Sequence, residues 1–80
     1  KAYLIRNFKQ MQLEFVPSAA NFILLNLKQN SAPISNRLLR QGVIVREMTG
    51  WGLPNFIRVT VGTMKENKKF IKALRNVMEI

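Results

Sequence analysis

Three features of this chain predict an α+β fold, a small and mostly antiparallel sheet of about three strands with helices packed on it. Apolar residues recur at helical spacing near the start, in the middle and at the end of the chain. Between those stretches lie short β-branched runs of strand length. Pro17, Gly42, Gly50, Gly52 and Pro54 punctuate the chain, giving the order helix, strand, helix, strand, strand, helix.

Each element can be justified in order. Lys1 to about Met11 reads as a helix, because Leu4, Phe8 and Met11 fall at i, i+4 and i+7 and Ile5 widens the stripe. A short apolar stretch, Leu13 to Val16, then ends at Pro17-Ser18. Asn21 to Leu27 is almost continuously apolar and of strand length, so it reads as a buried strand. A second helix is expected from about Pro33 to Gln41, with Ser31 as N-cap and Gly42 at the left-handed C-cap position. Val43 to Arg46 is a brief β-branched strand, and Glu47 to Asn55 is a shaped, glycine-bearing loop. In Phe56 to Val61 the residues alternate: Phe56, Arg58 and Thr60 face one way, Ile57, Val59 and Val61 the other. The last helix has the clearest start, with Thr63 and Glu66 at capping-box spacing. Its apolar stripe runs through Asn67, Phe70, Ile71, Leu74, Val77 and Met78, and the lysines fall mostly off it.

Composition narrows the function. Eighty residues suit one domain, residues 1–80. No cysteine or histidine is present, which removes thiolate metal sites, the commonest metal ligand and the commonest general base. The only carboxylates are Glu14, Glu47, Glu66 and Glu79, so acid/base chemistry housed wholly in this chain is not expected, nor is a metal site. No run approaches the length of a membrane span, and the basic N-terminal stretch has no signal-peptide pattern. The chain starts without a methionine and inside a helical pattern, and the expectation is an excised piece of something longer, with an apolar patch where Lys1 to Met11 met the rest. The net charge of +9 admits nucleic acid, an anionic membrane surface, an anionic small molecule, or the loss of an acidic companion. A basic nucleic-acid-binding module is the rival reading, but the strand around Arg58 offers one aromatic where base stacking uses two or three.

The residue that stands out is Arg58, inside a β-branched strand and shortly before a helix start. A guanidinium there is either a solvent-facing arginine or a rigid fork of donors for a carboxylate or phosphate. Arg46 ends the preceding strand, and antiparallel pairing of Val43–Arg46 with Phe56–Val61 would bring both arginines to one anion. In the loop between them, Trp51 and Gly52 either contact a ligand, the indole as wall and the glycine as close backbone, or merely close a tight turn.

Several stretches carry a resemblance: Gly42-Val43-Ile44-Val45-Arg46-Glu47-Met48, Gly50-Trp51-Gly52-Leu53-Pro54-Asn55, and Ile57-Arg58-Val59-Thr60-Val61-Gly62-Thr63 with Glu66-Asn67. Together they resemble the C-terminal signature of the histidinol-phosphate aminotransferases, and Pro17-Ser18 with Ala20-Asn21-Phe22 resembles the same family's first small-domain strand. The resemblance covers nearly the whole chain; Glu47 stands where proline is common and Trp51 where tyrosine is common. It implies a C-terminal small domain of a dimeric, cytoplasmic enzyme that uses pyridoxal 5'-phosphate, with the cofactor held by a lysine of a large domain absent here. It implies that Arg58 grips the carboxylate of glutamate or 2-oxoglutarate and the phosphate of histidinol phosphate, with Arg46 beside that phosphate. No lysine of this chain is assigned the cofactor's covalent bond, and the eighty residues alone are expected to be inactive.

Overall fold

A computed structural model describes residues 1–18 and 20–79. Its elements are α1 (Ala2–Gln10), β1 (Glu14–Pro17), β2 (Phe22–Asn26), α2 (Ser31–Arg40), β3 (Arg46–Glu47), a 3-10 turn (Thr49–Trp51), β4 (Phe56–Thr60) and α3 (Met64–Met78). The strands form one sheet in the order β1-β2-β4-β3, with every neighbouring pair antiparallel.

Three helices cover one face of the sheet, with α3 in contact with both α1 and α2. Ile23 and Leu25 of β2 and Ile57 and Val59 of β4 point into this layer and are almost fully buried. They meet Leu4 and Phe8 of α1, Ile34 and Leu38 of α2, and Phe70, Ile71, Leu74 and Val77 of α3 in a single core. Phe8 anchors it, packing edge-on to Phe70 at 6.2 Å and 85° and tilted against Phe15 at 6.1 Å. The alternation expected for β4 is borne out: Ile57 and Val59 lie in the core while Phe56, Arg58 and Thr60 occupy the opposite face. The outer faces of the helices carry most of the basic residues, with Lys65, Lys68, Lys69 and Lys72 all exposed on α3.

Two helix ends form as their residues dictate. Thr63 Oγ1 accepts from the Glu66 N–H at 3.2 Å while the Glu66 carboxylate accepts from the Thr63 N–H at 2.9 Å, a complete capping box. Those bonds to Thr63, from its backbone first and its side chain second, hold the Glu66 carboxyl below its ordinary value. At the end of α2, Gly42 takes φ +79, and the N–H groups of Gly42 and Val43 bond Leu39 and Leu38 carbonyls in a Schellman closure.

Four expectations need correction. Among the described residues the sheet has four strands and not three, because Glu14–Pro17 pairs along β2; Pro17 is tolerated at the end of an edge strand. The strand expected over Val43 to Arg46 shrinks to Arg46–Glu47: the Val43 N–H is taken by the closure of α2, and its side chain is drawn into the core. The N-cap of α2 is Asn30, whose Oδ1 accepts from the Ala32 N–H at 2.9 Å. Ser31 is instead fully buried, its hydroxyl without a hydrogen-bond partner among the described residues. Finally, the apolar stripe of α1 faces inward, with Tyr3 and Ile5 partly buried beside it. Leu4, Phe8 and Met11 are consumed by this domain's own core, and Arg75 Nη2 of α3 donates to Asn7 Oδ1 at 3.3 Å across the helix pair.

Candidate functional site on the open sheet face

The face away from the helices carries the candidate site. Strand register places Val16, Leu24, Arg58 and Arg46 in one row across all four strands, each opposite the next. Arg58 and Arg46 are therefore direct cross-strand partners, on antiparallel strands whose facing Cα atoms lie about 4.5–5.5 Å apart. Like charges directly opposite are destabilising. The arrangement suits a bound anion that neutralises both.

The loop fixes the position of Arg46. The Met48 N–H donates to the Phe56 carbonyl at 3.0 Å, closing the β3–β4 pair. The 3-10 turn follows, and Gly52 ends it with φ +77, a left-handed conformation that suits glycine. Leu53 N–H then returns to the Met48 carbonyl at 3.1 Å. This turn carries Trp51 out over the sheet, where it is 67% exposed.

Two cavities flank Arg58. One, of about 600 Å³, is bounded by Ile44, Arg46, Glu47, Gly50, Trp51, Arg58 and Thr60. The other, of about 340 Å³, is bounded by Val16, Ser18, Phe22, Leu24, Met48, Trp51 and Arg58. Arg58 and Trp51 border both, so the arginine stands on the ridge between a charged hollow and an apolar one. The half-buried Arg58 side chain lies with its guanidinium carbon 4.3 Å from the centroid of the Phe22 ring. Among the described residues its N–H groups make no hydrogen bond or ion pair, and they remain available to a ligand. Of the carboxylates, Glu66 serves the α3 cap, Glu14 takes a 3.5 Å hydrogen bond from Asn26, and Glu47 borders the larger hollow without pairing with Arg58 among the described residues.

Of the residues singled out from sequence, Arg58, Arg46 and Trp51 meet at the larger cavity. Gly52 borders neither hollow and serves the turn, whereas Gly50 borders the larger one. Phe22 was missed. Asn21 to Leu27 reads as buried throughout, but alternation in β2 buries Ile23 and Leu25 and leaves Phe22 and Leu24 half-exposed beside Arg58. Its parity relative to Ile23 was the signal that could have found it.

The family model for aminotransferase class I and II matches residues 1–74. The chain belongs to the class I and II aminotransferases. It is 47% identical over 78 residues to histidinol-phosphate aminotransferase 1 of Nitrosococcus oceani, covering 98% of this chain and 21% of that one. It is 48% identical over 68 residues to histidinol-phosphate aminotransferase 2 of Haemophilus influenzae, covering 85% of this chain and 19% of that one. Among solved structures, the histidinol-phosphate aminotransferase of Clostridium acetobutylicum matches with a TM-score of 0.87 at 24% identity, over 98% of this chain and 25% of that chain. That likeness shows the fold. The chain thus spans about a fifth of the length of these curated relatives. Membership of the aminotransferase family lends no support to the nucleic-acid reading of the basic charge. No helix among the described residues is long and apolar enough to cross a membrane.

Proposed function

We propose that these residues form the substrate-capturing small domain of a pyridoxal phosphate-dependent aminotransferase of the histidinol-phosphate type, in which Arg58 and Arg46 hold the substrate's anionic group. The observation that carries this reading is the direct pairing of the two arginines on the open sheet face at one cavity. The reaction moves an amino group between histidinol phosphate and 2-oxoglutarate, so one site must accept a phosphate and a carboxylate in turn. Arginine suits both, because its guanidinium stays charged and matches either group with two parallel N–H donors. Trp51 forms the wall across which the remainder of the substrate would lie.

The cofactor itself does not fit the residues present. No lysine borders either cavity beside Arg58, and the chain has no aspartate to pair with a ring nitrogen. Its anchoring groups belong to a large domain outside these residues, and the domain's own part is orientation and charge. The same reading makes the parent a cytoplasmic homodimer and the eighty residues inactive alone.

Replacing Arg58 with lysine in the complete polypeptide keeps the charge and removes the fork. The expected result is a drop in kcat/KM of about 10- to 100-fold for donor and acceptor alike, the size of one or two charge-assisted hydrogen bonds, with cofactor absorbance unchanged. An unaltered kcat/KM for both substrates sinks the assignment.

A further inference from the structure

We propose that Phe22 is a positioning residue for Arg58: its ring is a platform that holds the guanidinium in its binding orientation without using any of its N–H donors. The inference rests on the reading of Arg58 as the anion-gripping residue and adds to it the group that aims it.

The guanidinium carbon lies 4.3 Å from the Phe22 centroid, well inside the range of about 6 Å over which a cation is attracted to a ring face. The two residues are diagonal neighbours across β2 and β4, since Phe22 pairs with Thr60 and Leu24 with Arg58. That offset is within reach of an aromatic and a long side chain. The platform is itself well anchored. The Phe22 carbonyl accepts from Ser18 N–H at 3.2 Å and from Ser18 Oγ at 3.0 Å. The flanking Asn21 carbonyl accepts from Val61 N–H at 2.8 Å.

The chemistry of the contact is the deciding point. An arginine can be held by a carboxylate, but the carboxylate then takes two of its five in-plane N–H donors and offsets the charge that attracts a substrate anion. A ring face engages the flat face of the guanidinium instead, leaving the donors at its edge free. Among the described residues no carboxylate is paired with Arg58, and the ring is what it rests on. A flexible side chain is thereby ordered before the anion arrives, so less freedom is lost on binding. Placement on the open face, outside the core cluster, means the contact contributes little to folding.

The test uses the complete, cofactor-loaded polypeptide and titrates succinate, a dicarboxylate that cannot react, by calorimetry alongside steady-state kinetics. Phe22→Leu is expected to weaken succinate binding and raise the KM for 2-oxoglutarate by about fivefold, the size of one partly exposed cation–π contact, with kcat and Tm close to the parent's. Phe22→Tyr, which keeps a ring face, is expected to restore binding to within about twofold. Arg58→Met is expected to lose succinate binding by more than either, and adding Phe22→Leu to it to change nothing further. The proposal is overturned if Phe22→Leu leaves succinate binding intact, if tyrosine fails to rescue it, or if its penalty persists in the Arg58→Met background. Should Arg58→Met alone leave succinate binding unchanged, the anion-gripping role of Arg58 fails first and takes this inference with it, an outcome visible in that single variant.

Discussion

The two faces of the sheet are made from the same four strands, yet they are built to opposite ends. On the helix side, Ile23, Leu25 and Ile57 are fully buried against Leu4, Phe8, Leu38 and Leu74. On the other side, the strand neighbours of those residues, Phe22, Leu24 and Arg58, are only half-covered, and they are joined by the exposed Trp51 and Ile44. One face holds the fold together; the other leaves charge and apolar surface uncovered around Arg58 and Trp51. Stability and the proposed binding can be separated residue by residue, because period-two alternation sends adjacent side chains to opposite faces.

Paired substitutions test that separation most severely. Ile57→Ala removes a fully buried side chain and is expected to destabilise by about 2–5 kcal/mol. Leu24→Ala, on the open face of the neighbouring strand, is expected to cost about 1 kcal/mol or less. Denaturant midpoints for the two variants would measure the contrast, and equal losses would break it. A smaller effect lies where β4 runs into α3, next to the site. Asn67 is buried and accepts from the Gly62 N–H at 3.0 Å while donating to the Gly62 carbonyl at 3.2 Å. Asn67→Leu leaves both backbone groups to water and is expected to cost about 1–2 kcal/mol by thermal unfolding.

The smallest expected effect is a pH dependence. Glu66 has a folded pKa depressed below its ordinary 4.5. Its contribution is therefore fully present above that ordinary value and is lost as pH falls through the folded one. Glu66→Gln should be nearly level with the parent in acid and less stable than it at neutral pH. A Tm difference between the two that does not shrink on acidification would exclude this. Glu66 is solvent-exposed, so the change is expected to be slight.

Much of the helix side was legible in the chain. The stripe of α3 and the Thr63–Glu66 cap depend on residues within a few positions of one another, and both formed as read. So did the left-handed Gly42 and the alternation of β4. The misreadings share a cause. Glu14–Pro17 became a strand because β2 offered it an edge, and Asn30 displaced Ser31 as cap because packing drew Ser31 inward. On the open side, Arg58 was visible as an arginine out of place in an apolar strand, but Phe22 was hidden inside a run that looked uniformly buried.

Local order alone determined the three helices, the central strand and the candidate arginines, because capping, helical periodicity and strand alternation act over one or two turns of chain. Tertiary structure decided which residues stand beside which. The opposition of Arg46 to Arg58 and the seat of Arg58 on Phe22 depend on the register between strands distant in sequence. That register is set by the burial of Ile23, Leu25 and Ile57 against the helices, and a slip of β4 by one residue would turn Arg58 into the core.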